Sequence, residues 1–156
     1  MPGRSLFRKS TAMASAENAC MVLQRNFGLA VKDYDIYINM PGGVPVDGPS
    51  AGLAMLAAVY SAYTGVPVDG KCAMTGEVSL SGAILPVGGI PAKVRAALEH
   101  GFTRVLIPAA NAAAAQEDEV IPVCDVSQAL ELMLGSHTLP MPQISQEKVL
   151  SAQSTL

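Results

Sequence analysis

"GGVPVDGPSAGLAML", residues 42–56, is the stretch on which the reading of this chain turns. An Asp-Gly-Pro turn delivers Ser50 to an apolar, alanine-rich run, so the stretch reads as a loop opening a buried helix over residues 51–63, closed by Gly65. A serine at such a junction is most often an N-cap, its hydroxyl accepting from a backbone N–H two or three residues on. The same place also sets the backbone N–H groups of Ser50 and Ala51 at the positive end of a helix, suited to a tetrahedral oxyanion. Ala51 and Gly52 carry little bulk, so a carbonyl could come close. The run Gly48-Pro49-Ser50-Ala51-Gly52 has the glycines of a nucleophile elbow but lacks the strand immediately before it. Cap and nucleophile both stay open on these residues alone.

Outward from this stretch the elements alternate. Upstream, residues 11–26 place Ala12, Ala16, Ala19, Val22 and Leu23 at helical spacing, with Gly28 as a stop. Residues 34–40, "YDIYINM", alternate Ile36, Ile38 and Met40 against Tyr37 and Asn39, the pattern of a strand. Downstream, residues 71–89 are short β-like runs cut by Gly76, Gly82 and Gly88-Gly89, which predicts two or three strands with tight turns. Pro91 then opens a helix that Gly101 closes. "RVLIP", "AANAAAAQED", "VIPV" and "DVSQALELML" follow as strand, helix, strand and helix. Such alternation predicts an α/β (α+β) fold, a compact mixed-sheet domain with packed helices over residues 11–135. Residues 1–10 read as an N-terminal extension, and residues 136–156, polar and proline-bearing, as a weakly ordered tail.

Bulk properties narrow the function. The chain has 156 residues, half of them apolar, enough for one domain with a proper core. Ten Lys and Arg against 13 Asp and Glu give a net charge of -3 and no basic stripe, which excludes nucleic acid as the expected partner. Cys20, Cys72 and Cys124 are odd in number and hold no CxxC pair, arguing against a disulfide framework or a zinc site and for a reducing, cytoplasmic setting. Gly48 to Val68 lacks charge over nearly a membrane-spanning length, but Pro49, Ser61, Thr64, Gly65 and Pro67 interrupt it, so no membrane segment is expected. The basic start has no apolar run after it and is not a secretory signal.

A serine nucleophile needs a base, and histidine is its commonest supplier. His137 falls in the polar tail, and His100 falls at a helix end where a cation favours the dipole. Lysine is the alternative, provided it is neutral: bringing one from a pKa of about 10.4 to about 8 requires disfavouring the ammonium by roughly 3 kcal/mol. In "VGGIPAKVRAALEH" Lys93 lies in the first turn of its helix, beside unpaired N–H groups and the positive dipole end. A lysine placed there either snorkels outward or is held near neutrality.

Taken together, "PGGVPVDGPSAG", "AMTGEVSLSGAILPVGGIPAKVRAA" and "RVLIPAANAAA" resemble the proteolytic domain of Lon proteases, most closely the bacterial B-type branch. The resemblance runs from about Thr11 to Leu134, with the serine motif, the Thr-Gly-Glu turn and the Gly-Gly-x-x-x-Lys motif in the family's order. It implies the Lon proteolytic-domain fold, shared with a ribosomal-protein domain, and a serine endopeptidase with a Ser-Lys dyad. Ser50 would be the nucleophile, Lys93 the general base, and Thr75 the hydroxyl that orients the lysine. Asp47 and Glu77 would have supporting roles, and the backbone N–H groups of Ser50 and Ala51 would hold the oxyanion. Read without the family, Asp47 is a turn or cap residue, Thr75 a strand-end hydroxyl and Glu77 a solvated carboxylate. A carboxylate next to Lys93 would favour the ammonium, so Asp47 is expected to turn away in the active state.

The resemblance further implies an ATP-dependent protease that degrades unfolded or misfolded polypeptides, assembled as a hexameric ring. No GxxxxGK[ST] loop occurs in the chain, so ATP and Mg are expected only on an ATPase module absent from it, with no cofactor or metal on these residues. The family's domain has strands upstream of its first helix, and this chain starts almost at that helix, so a fragment or truncated gene product is expected. An extended substrate is expected to add to a strand edge near residues 40–46. Two rivals stand beside this reading: a catalytically idle scaffold or assembly module of the same fold, and an anion cradle in which the 41–52 loop binds phosphate with Lys93 as counter-charge. Asp47 in that loop repels phosphate.

Overall fold

Two helices form the first layer. Helix α1 (Thr11–Phe27) buries Ser15, Ala19, Val22 and Leu23 and ends at Gly28, whose φ of 66° is the left-handed stop foreseen from sequence. Helix α2 (Gly52–Thr64) follows a 3-10 turn at Pro49–Ala51 and buries Leu53, Met55, Leu56, Ala57, Val59 and Tyr60, as an apolar helix without a polar face must. The two pack closely because their contact residues are small: a Cβ built on Gly52 would lie 3.8 Å from the Ser15 Cβ. The buried Ser15 hydroxyl is satisfied within α1, donating to the Thr11 carbonyl at 2.9 Å. This is a computed structural model, and it describes residues 11–40 and 48–134.

A three-stranded parallel sheet carries the rest. Strands β1 (Cys72–Met74), β4 (Arg104–Pro108) and β5 (Val120–Val123) stand in the order β1-β4-β5, with Met74 opposite Leu106 and Leu106 opposite Ile121. Between β1 and β4 the chain makes an antiparallel pair, β2 (Glu77–Val78) with β3 (Ile84–Leu85), and then helix α3 (Ile90–Glu99). Helix α4 (Val126–Met133) closes the described chain.

Central strand β4 is buried on both faces, and its side chains alternate between two cores. Leu106 joins the larger core with residues of α1, α2 and α4, whereas Val105 and Ile107 meet Ile90 and Val94 of α3. Helices thus cover both sides of the sheet, the α/β architecture expected from the alternation of elements.

Two local expectations are corrected. Residues 34–40 are not a strand: a 3-10 turn at Val31–Asp33 is followed by irregular chain that pairs with no strand among the described residues. Alternation of apolar side chains shows which face could be buried, but a strand also needs a hydrogen-bonding edge beside it. Only Ile38 of the segment packs on the core, while Tyr37 is 91% exposed. The helix expected after β4 is a 3-10 turn, Ala109–Ala114. The N-terminal extension and the tail lie outside the described residues.

Candidate active site

Ser50 sits inside the 3-10 turn that precedes α2, one residue after Pro49 and half-buried. It is not the cap that a serine at a helix start usually is. The N-cap positions of the turn and of α2 are Gly48 and Ala51, and neither receives a side-chain cap bond. Instead the Gly48 N–H donates to the Thr11 hydroxyl at 2.7 Å, tying the start of the turn to the start of α1. The Gly52 N–H bonds the Pro49 carbonyl, and Gly48 holds a φ of 116° that favours glycine.

Two backbone bonds clasp this turn to the end of β1. The Gly76 N–H donates to the Ser50 carbonyl at 3.0 Å, and the Leu53 N–H donates to the Gly76 carbonyl at 3.1 Å. Gly76 must be small here, since a Cβ would come within 2.8 Å of the Ile84 Cγ2. Thr75, just past the carboxyl end of β1 and 7% exposed, is fixed by its N–H bond to the Leu106 carbonyl of β4 at 3.0 Å. A carboxyl end of a parallel strand is where open α/β sheets place their ligands.

The Thr75 hydroxyl joins the serine turn to Lys93. It donates to the Ser50 carbonyl at 3.2 Å and accepts from Lys93 Nζ at 3.4 Å. Its one proton is committed to the carbonyl, so toward the lysine it can only accept. Lys93 stands in the first turn of α3, where the helix start tolerates the N–H that Pro91 lacks and Gly89, with φ 70°, supplies the left-handed N-cap. Burial pulls the Lys93 ammonium below the ordinary lysine value of 10.5, and the positive end of α3 acts in the same sense.

Other nucleophiles and bases are poorly placed by comparison. Burial pushes the Cys20 and Cys72 thiols up, away from thiolate. His100 caps the far end of α3 from Lys93, its Nδ1–H donating to the Ala96 carbonyl at 2.7 Å. Among the described residues no group of three His, Cys, Asp or Glu is arranged to hold a metal ion. Nor is any described helix long and apolar enough to cross a membrane.

A family model described as the Lon protease (S16) C-terminal proteolytic domain matches residues 8–141. The chain belongs to the Lon proteolytic-domain family. It is 42% identical over 154 residues to Lon protease 2 of Bacillus subtilis, covering 94% of this chain and 28% of that protein. It is 43% identical over 122 residues to the Lon protease of Brucella suis, covering 72% of this chain and 15% of that one. With the Lon protease of Clostridium beijerinckii it shares 49% over 104 residues, 66% of this chain and 12% of that relative. The chain therefore spans less than a third of the length of these Lon proteases.

Of the residues singled out in the sequence, this Lon domain brings Ser50, Thr75 and Lys93 together through one hydroxyl. Glu77, half-buried, opens β2 opposite Leu85, two residues past Thr75. Ala51 ends the 3-10 turn and directly precedes α2. Asp47 lies outside the described residues. Two participants escaped the sequence reading because they act through the backbone: Gly76, whose N–H and C=O both bind the serine turn, and Leu106, whose carbonyl fixes Thr75. Asn111 was visible only as part of a motif. Its side chain accepts from the Val87 N–H at 2.9 Å and donates to the Val87 carbonyl at 3.1 Å, just ahead of the Lys93 helix.

Proposed function

We propose that this Lon domain is a serine endopeptidase with Ser50 as nucleophile and Lys93 as general base. The observation that carries this is the shared Thr75 hydroxyl: it orients an N–H of the half-buried lysine while holding the carbonyl of the serine residue itself. A neutral Lys93 amine directs one N–H at Thr75 and keeps its lone pair for the serine proton. Ser50 Oγ attacks the peptide carbonyl as Lys93 Nζ accepts that proton, and the carbonyl oxygen becomes an oxyanion facing the backbone N–H groups of Ser50 and Ala51. Collapse of the tetrahedral intermediate breaks the C–N bond, with Lys93 returning the proton to the departing amine. Water hydrolyses the acyl-enzyme by the same steps reversed.

Unfolded or misfolded polypeptide is the proposed substrate, because attack needs an extended chain with an exposed carbonyl. ATP hydrolysis, if coupled to this chemistry, belongs to a separate module, since this chain has no phosphate loop. Hexameric assembly and a cytoplasmic setting complete the proposal.

The deciding experiment compares wild type, Ser50→Ala and Lys93→Ala on an unstructured polypeptide from about pH 6 to 10, the range in which a depressed lysine titrates. Both variants should stay folded and lose on the order of 10³-fold or more in kcat. The wild-type rate should rise with pH through an apparent pKa below the ordinary lysine value of 10.5. Wild-type cleavage in either variant overturns the dyad, and a folded wild type with no cleavage favours the idle scaffold.

A further inference from the structure

We propose that Asn111 is a positioning residue for Lys93: by gripping both main-chain groups of Val87, it sets the loop across which the lysine reaches Thr75. This rests on the Ser-Lys reading and adds to it a residue that touches neither substrate nor dyad.

The loop between β3 and α3 is poor in anchors. Gly88 and Gly89 are exposed and have no side chains, and Gly89 takes a left-handed φ of 70°. Backbone freedom is greatest at such a pair, so a fixed loop needs a hold from outside. Asn111 provides one, with its carboxamide oxygen on the Val87 N–H and its carboxamide nitrogen on the Val87 carbonyl. One amide orientation alone satisfies both groups, which gives two-point geometry rather than a pivot. The Val87 side chain packs against the apolar cluster that Ile90 and Val94 of α3 form with Val105 and Ile107 of β4, so the grip and the apolar contact act on the same residue.

The lysine stem depends on this loop directly. The Lys93 N–H donates to the Gly89 carbonyl at 3.0 Å, and a Cβ built on Gly89 would lie 4.0 Å from the Lys93 Cε. Thus the side chain folds back over the loop that Asn111 holds. Asn111 is also the one polar residue in the turn Ala109–Ala114, which follows β4 without a break. Strand β4 fixes Thr75 through Leu106, and the turn after it fixes the approach to Lys93 through Val87. One continuous segment therefore sets both ends of the Lys93–Thr75 contact.

The test uses the full chain labelled with 13Cε-lysine, following the Lys93 resonance against pH in wild type, Asn111→Leu and Asn111→Ser, with kcat and KM measured alongside. Asn111→Leu removes both bonds while keeping the branching at Cγ; Asn111→Ser is small and polar and serves where the leucine variant does not fold. In the folded variants the Lys93 titration should move up toward 10.5 as the stem leaves its half-buried place. Kcat should fall by about 10- to 100-fold, the scale of an ångström-sized misplacement, with KM unchanged. A Lys93 titration identical to wild type, with only the thermal midpoint lowered, makes Asn111 merely structural and overturns the proposal. The resonance needs no cleavage to be read. Full activity in Lys93→Ala would thus sink the dyad while the titration still decides whether Asn111 positions the lysine.

Discussion

Lys93 carries a cost that its sequence position only hints at. A lysine in the first turn of a helix opposes the dipole, and half-burial adds desolvation in the same direction. Its folded-state pKa lies below the unfolded value of 10.5, so between the two the unfolded chain holds more protons. Stability then rises with pH across that window, is complete above 10.5 and is lost as pH falls through the folded value. Lys93→Met should therefore raise the denaturation midpoint at neutral pH and flatten its rise toward alkaline pH, measured by urea unfolding at several pH values. A lower midpoint at neutral pH would mean that the ammonium stabilises the fold. Ser50 and Lys93 stood out in the sequence through the motifs around them, and the Thr75 hydroxyl links the two residues in the fold. That Thr75 meets a carbonyl of Ser50 was not legible there, because hydrogen-bond partners in different elements leave no spacing signal.

At the scale of elements, the sequence marked starts and stops better than pairing. Gly28, Gly65 and Gly101 end helices with positive φ, as their positions foretold. Asp125 caps α4, its Oδ1 accepting from the Gln128 N–H at 2.9 Å while Gln128 Oε1 accepts from the Cys124 N–H at 2.9 Å. This side-chain cap at a core helix predicts that Asp125→Ala lowers stability by about 1 kcal/mol and leaves cleavage per folded molecule unchanged, checked by denaturant titration and kcat together. The failure at residues 34–40 has the opposite character. Its apolar alternation was real, but strand status belongs to two segments at once, and residues 34–40 pair with no strand among the described residues.

Across the whole molecule, Asp69 links parts far apart in sequence. Its N–H bonds the Met133 carbonyl of α4 at 2.8 Å, its Oδ1 accepts from the Lys71 N–H at 2.9 Å, and its Oδ2 meets Arg104 Nη2 of β4 at 2.6 Å. The Lys71 N–H, and after it the Arg104 guanidinium, hold the Asp69 carboxyl below its ordinary value of 3.8. Stability from these contacts is present above 3.8 and lost as pH falls through the lower folded value. Asp69→Asn should be modestly less stable at neutral pH and show a shallower acid transition, with added salt narrowing the difference between the two proteins. An unchanged acid transition in thermal melts at low pH would remove Asp69 from this role. By itself the sequence determined where helices α1 to α4 lie and stop, though not the 3-10 turn after β4, and which family the serine and lysine motifs belong to, because turn chemistry, apolar period and motif order are local properties. Tertiary structure alone decided that β1, β4 and β5 align in parallel, that the 34–40 chain pairs with no strand among the described residues, and that one threonine hydroxyl joins Ser50 to Lys93. Each of those depends on distances between residues remote along the chain, which are fixed only when the two cores on either side of β4 close.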